Sequence, residues 1–179
     1  MRWAVLFFGA TGAACSTSSG DASPDASSDA GGTCAPFASD ADLATPPVAF
    51  RASIVPFFLG TCAAGGFTCH GDPGVRGAGR AFLGLADGGT DAASIHAEIV
   101  GAPSIEDPAM NLVTAGDPAK SYLMHKLDDD QCTLAADCAK GTSPATDCGW
   151  RMPYRAPVSL PVPTRDMIRR WIAQGALDN

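Results

Sequence analysis

Two thiols and an imidazole fall within one short run, Cys62-Ala-Ala-Gly-Gly-Phe-Thr-Cys69-His70-Gly71. Cysteine placement constrains this chain more than any other feature, because a bond through sulfur closes a loop whatever the backbone would otherwise prefer. Seven cysteines are present. Cys15 belongs to an N-terminal leader, and six remain: Cys34, Cys62, Cys69, Cys132, Cys138 and Cys148. An even number in an exported chain points to all six being used. They can form three disulfides. Equally, Cys62 and Cys69 can serve another purpose while Cys34, Cys132, Cys138 and Cys148 form two. Parity leaves both arrangements open.

The expectation of export rests on the first fifteen residues. Met1-Arg2 is a short positive start, and Trp3 to Ala10 is an apolar run far too short to span a bilayer as a helix. Small residues then lead to Cys15, in the manner of the lipobox of bacterial lipoproteins, whose cysteine becomes the lipid-bearing first residue. Residues 1–15 are therefore expected to be a signal peptide and Cys15 the lipidation site. Ser16 to Asp40 is built of Ser, Asp, Ala, Gly and Thr and cannot bury enough apolar surface to offset its chain entropy. It is expected to be a disordered linker, with Cys34 placed to staple its end. The folded domain is expected over residues 41–179.

Twelve Lys and Arg stand against nineteen Asp and Glu, for a net charge of −7. No basic run is present to neutralise phosphates, so the composition excludes a nucleic-acid partner and favours a basic protein partner.

Apolar spacing predicts helices. Phe50, Ile54, Phe57 and Phe58 form one helical stripe in Pro47 to Thr61, with Pro56 expected to kink it or split it in two. Asp91 to Val100 carries Ile95 and Ile99 on one face, a capping Asp91 and a terminating Gly101. Asp117-Pro118 is expected to open a third helix with Leu123 and Leu127 inward. Thr164 is expected to cap the last helix, which carries Ile168, Trp171 and Ile172. Gly71 to Gly89 and Asp128 to Arg151 are expected to be loops, the first anchored by Phe82, Leu83 and Leu85, the second stapled by its three cysteines. Asp128-Asp129-Asp130 lacks the alternating oxygen ligands of a calcium loop and is expected to be a solvated acidic turn. No strand alternation of useful length is present. The fold class is all-α, a small helical domain with long loops.

The run Cys62 to His70 is a stretched form of the C-x-x-C-H signature, in which two thiols add to the vinyl groups of one haem and the histidine reaches the iron. Four further pieces follow it in order: Gly116-Asp117-Pro118 with Ser121-Tyr122-Leu123, then Lys126-Leu127, then Met152-Pro153, then Ile168-Arg-Arg-Trp171-Ile-Ala-Gln-Gly175-Ala176. Together, from Phe50 to Ala176, they resemble the cytochrome c-like domain of exported bacterial proteins, in particular the planctomycete-type cytochrome c domain. The resemblance implies an all-α fold around one covalently bound haem c. It implies His70 as proximal iron ligand, Met152 as sixth ligand, and Cys62 and Cys69 at the thioether positions. The departure is the gap of six residues between the cysteines, where the family usually has two.

A His/Met pair leaves no open iron position, so the implied function is one-electron transfer, alone or as accessory to an oxidoreductase, and not substrate chemistry. The implied location is the periplasmic or outer-membrane surface of a Gram-negative bacterium, held through a lipid anchor. The alternative reading keeps the scaffold without haem: Cys62 and Cys69 are oxidised to one another, and the domain is a disulfide-stapled binding or structural module. His96 and His125 are expected to be structural or solvated, and Met124 and Met167 to be core residues. Motifs of other enzyme classes, G-x-S-x-G and H-E-x-x-H among them, are absent.

Overall fold

The computed structural model describes residues 34–64, 69–72, 81–84, 91–138, 148–154, 156 and 159–179. The leader, Cys15 and the linker up to residue 33 lie outside the described residues, as does Leu85. Among the described residues are four helices and no β-strand, which makes this a small all-α fold.

Helix α1 is one winding path in three stretches: π-helical Phe50–Ile54, α-helical Val55–Phe57 and π-helical Phe58–Cys62. Pro56 does not break it. Backbone angles at Ile54, Val55, Phe57 and Phe58 all stay right-handed helical. The wider winding on either side, where the Val55 N–H donates to the Phe50 carbonyl, gives room for a ring that would otherwise press on the preceding turn.

Helix α2, Ala92–Ile99, begins where Asp91 accepts a hydrogen bond from the Ser94 N–H, an N-cap legible in the sequence. The third predicted helix is in fact two elements. Asp117 caps a single 3-10 turn, Pro118–Lys120, and α3 runs separately from Tyr122 to Asp128. Ser121 divides them. It is fully buried and extended, its hydroxyl donates to the Asp117 carbonyl at 2.8 Å, and it accepts from the Thr114 N–H at 2.9 Å. A serine held this way offers the backbone an alternative to helix.

Helix α4, Val162–Ala173, starts two residues before the expected Thr164 cap. Pro163 sits in the first turn, where its missing N–H is no loss, so it opens the helix and does not precede it. The helix ends as expected at Gly175, whose φ of +101° allows the Ala176 N–H to reach back to the Trp171 carbonyl.

The core forms between these elements. Phe50, Ile54 and Phe58 of α1 meet Ile95 and Ile99 of α2, Met124 and Leu127 of α3, and Ile168, Trp171 and Ile172 of α4. Phe50 and Trp171 stack with centroids 5.0 Å apart, and His96 packs edge-on against Phe50. The C-terminal residues cap α1. Asn179 accepts the Phe50 N–H on its side chain and the Arg51 N–H on its backbone oxygen. Orphan donors at one end of the chain are thus satisfied by the other end.

The acidic run is not solvated, contrary to its composition. Asp128 is buried between Arg165 at 2.8 Å and Arg169 at 2.5 Å. Asp130 is buried too, with one oxygen 2.7 Å from His125 Nδ1 and the other accepting the Phe37 N–H at 2.7 Å. Asp129 alone is partly open, in the left-handed conformation that ends α3. Carboxylates leave water here because guanidinium, imidazole and backbone donors replace its hydrogen bonds.

Two consequences are testable. Trp171→Ala removes the largest core side chain and is expected to cost about 3–5 kcal/mol of unfolding free energy in urea titration. His125 has its pKa raised above 6.5, first by the Asp130 hydrogen bond, against the opposing effect of burial, with the charges of Asp130 and Asp128 adding to the rise. The protonated ring therefore stabilises the fold below about pH 6.5, and that contribution disappears as pH rises through the folded-state value. The stability difference between the native chain and His125→Gln is expected to be full below about pH 6.5 and to shrink as pH rises above it.

Candidate functional site

The loop around His70 is built by backbone. The His70 N–H donates to the Cys62 carbonyl at 3.1 Å, closing the segment that leaves α1. The His70 carbonyl in turn accepts the Leu83 N–H at 2.8 Å. Phe82 and Leu83 are buried, and the Phe82 N–H reaches Glu98 on α2 at 3.2 Å. The loop is thereby fastened between α1 and α2.

Two glycines make this approach possible. A Cβ on Gly71 would lie 2.2 Å from the Ala63 carbonyl oxygen, and one on Gly84 would lie 2.8 Å from the Gly71 carbonyl oxygen. Three strands of backbone pass at van der Waals distance, and only glycine permits it.

His70 is half-buried, with Nδ1 2.7 Å from the Ala81 carbonyl oxygen. A ring nitrogen facing a carbonyl must carry the proton, which makes Nε2 the nitrogen with the lone pair. Cys62 is half-buried, packs on the core and is a free thiol. Burial pushes its pKa up to about 12, so it stays a protonated thiol at neutral pH. Cys69 is disulfide-bonded. Cys62 and Cys69 are therefore not bonded to one another, and the expected pairing of the haem-free alternative is corrected: their backbones are joined through His70, but their sulfurs have different fates.

Met152 belongs to a second loop. Its N–H donates to the Lys126 carbonyl at 2.8 Å, its peptide bond to Pro153 is cis, and its side chain packs partly buried against the core. Helix α3 holds this loop at a second point. The Tyr122 hydroxyl and Lys126 Nζ both donate to the Cys148 carbonyl, at 2.5 and 2.9 Å. Burial lowers the Lys126 pKa to about 8, against the pull of Glu106 and Asp129. Cys148 is bonded to Cys138, and Cys34 to Cys132. The structure thus gathers Cys62 with His70 in one loop and Met152 with Cys148 in another, and both loops border the same apolar cluster.

The partners that orient these groups had no sequence signature. The Ala81 and Cys148 carbonyls are backbone atoms, and Lys126 reads as a surface residue until α3 turns it inward. Gly71 stood out only as the residue after His70, and Gly84 only as a loop residue. Among the described residues no group of three His, Cys, Asp or Glu side chains is arranged to hold a metal ion. No helix among them is long and apolar enough to cross a membrane. No family model, curated protein or solved structure matches the chain.

Gly71→Ala is expected to force the Ala63 and Gly71 backbones apart and to cost about 1–3 kcal/mol, read as a lowered thermal midpoint. Gly60→Ala is the control: a Cβ there meets nothing within 4 Å, and the midpoint is expected not to fall.

Proposed function

We propose that this domain is a mono-haem electron carrier of the cytochrome c-like kind, with His70 and Met152 as axial ligands and Cys62 and Cys69 at the thioether positions. The observation that carries the reading is the hydrogen bond between His70 Nδ1 and the Ala81 carbonyl. Metal-binding histidines characteristically donate their second ring N–H to a carbonyl or carboxylate, which fixes the tautomer and aims the ring. Met152 adds a soft thioether, on a loop that α3 holds through Lys126 and Tyr122.

The chain's residues fit the group in part. The imidazole and thioether suit haem iron, and the Cys62 thiol is available. Attachment through both sulfurs requires Cys69 to be reduced. When bound, the group supplies reversible one-electron chemistry with both axial positions filled. The residues of the chain would then orient the two ligands: the Ala81 carbonyl fixes the His70 ring, and the Lys126 carbonyl holds the Met152 backbone. The charge of −7 favours a basic redox partner and makes the encounter sensitive to salt. Export, a lipid anchor at Cys15 and a periplasmic or outer-membrane surface complete the proposal.

The Cys34–Cys132 and Cys138–Cys148 disulfides favour a second reading: a haem-free module in which disulfides hold a binding or structural surface. One experiment separates the two. The full chain is produced in a periplasm equipped for cytochrome c maturation, then denatured and tested for haem by peroxidase staining and intact mass. Covalent haem is expected, lost in Cys62→Ala and Cys69→Ala together, with His70→Ala and Met152→Ala each altering the iron absorption bands. A denatured chain without haem overturns the electron-transfer reading and leaves the stapled module.

A further inference from the structure

Residues 34–47, the segment before α1, lie along α4 as a strap that bends at residues 43–46, where Asp42 accepts the Ala44 and Thr45 N–H groups. Composition assigns the first part of this segment to the linker, yet it is docked. Phe37, Ser39, Ala41 and Leu43 are half-buried, while Ala38, Asp40, Asp42 and Ala44 between them are exposed. That alternation is the signature of an extended chain lying on a surface. One polar face of α4 receives it. The Phe37 ring lies under the Arg165 and Arg169 guanidiniums, 4.2 and 5.1 Å from its centroid. The Ser39 hydroxyl donates to Asp166 at 2.8 Å, Arg170 donates to the Asp42 carbonyl at 2.7 Å, and the Gln174 amide serves Leu43, Ala44 and Pro46. The strap also walls a cavity of about 250 Å³ against Trp171 and Leu177.

Among the described residues, the N-terminal end of the strap is held by the Phe37 ring under the two guanidiniums, the Phe37 N–H on Asp130, and the bond from Cys34 to Cys132, 98 residues away in sequence. That bond differs from its neighbour in one decisive way. Cys34 and Cys132 are both exposed, whereas Cys138 and Cys148 are buried at 5% and 1%. Thiol–disulfide exchange requires a thiolate to reach sulfur, so a soluble reductant has access to the first bond and not to the second.

We infer that the Cys34–Cys132 bond is a reducible latch that keeps the strap closed on α4, and that a dithiol reductant opens it while the folded domain stays intact. In the exchange one thiolate of the reductant attacks Sγ of Cys34 or Cys132, the S–S bond breaks and a mixed disulfide forms. The reductant's second thiol attacks that mixed disulfide, closes its own disulfide, and leaves Cys34 and Cys132 as thiols. Two electrons and two protons pass from reductant to latch. Without the bond the strap is held by the Phe37 ring contact and by hydrogen bonds that water can replace one at a time, and it loosens from Cys34 inward. Opening exposes Phe37 and the guanidinium faces of Arg165 and Arg169. The core contacts of α4 lie on its other side and are untouched. This inference is independent of whether haem is bound.

The full chain, purified without reductant, is titrated with dithiothreitol in native buffer, alkylated, and mapped cysteine by cysteine. Cys34 and Cys132 are expected to be half-alkylated at a reductant concentration about tenfold below that needed for Cys138 and Cys148. In hydrogen exchange the amides of Phe37 and Ala41, which donate to Asp130 and Ser39, are expected to exchange about tenfold faster after latch reduction, while α2 and α4 keep their protection. The double variant Cys34→Ser/Cys132→Ser provides the open state without reductant and is expected to show the same fast strap and protected helices. Two results would overturn the inference: joint reduction of both disulfides only on unfolding, or a strap that stays protected in the double variant.

Discussion

The stack of Phe50 on Trp171 is the contact on which the other arrangements depend. It joins the first helix to the last, at 5.0 Å between centroids and 24° between planes, a geometry in which offset rings attract beyond their area burial. Everything near it is placed by reference to it. His96 packs edge-on to both rings and reaches the Ala176 carbonyl with Nε2. The indole N–H is satisfied by the Leu177 carbonyl, so the largest buried side chain leaves no orphan donor. The turn that carries Leu177 also brings Asn179 over the start of α1. Helix α1 then delivers Cys62 and, one loop later, His70. The candidate site is therefore positioned by an aromatic contact that involves none of its own residues.

Helix α4 does two jobs with two faces. Ile168, Trp171 and Ile172 face the core, while Arg165, Asp166, Arg169, Arg170 and Gln174 face the incoming chain. The arginines are shared between tasks. Arg165 and Arg169 neutralise buried Asp128 from α3 and simultaneously cover the Phe37 ring. Planar guanidiniums permit this, because their edges donate hydrogen bonds while their faces stay open to an aromatic ring. The result is a single electrostatic cluster that ties α3, α4 and the strap, and lysine in place of either arginine would lack the geometry to serve both partners.

The candidate site was legible in its reactive atoms and silent in its supports. Cys62, Cys69, His70 and Met152 stand out because thiols, imidazole and thioether are rare and chemically distinct. What aims them is mostly peptide: the Ala81, Cys62, Lys126 and Cys148 carbonyls. Every residue has a carbonyl, so a sequence carries no mark of which one will serve. The same limit explains the acidic run, where three like side chains in succession take three environments, set by partners on other elements.

Local physics was sufficient wherever the decisive interaction spans a few residues. Apolar spacing placed α1, α2 and α4, Asp91 announced the start of α2, and Gly175 announced the end of α4, because caps and amphipathic stripes are settled within one or two turns. Tertiary structure decided what depends on distant partners. Ser121 splits a predicted helix because its hydroxyl accepts the Thr114 N–H while the Asn111 carbonyl takes the N–H of the following Tyr122. Asp128 is buried because arginines 37 and 41 positions away come to it. Six cysteines admit 15 pairings by counting alone. The packing joins Cys34 with Cys132 and Cys138 with Cys148 and leaves Cys62 a free thiol, an arrangement outside those 15, because it brings some sulfurs together and keeps others apart. Residue order encodes what neighbours along the chain can do for one another; only the folded core sets which remote groups become neighbours.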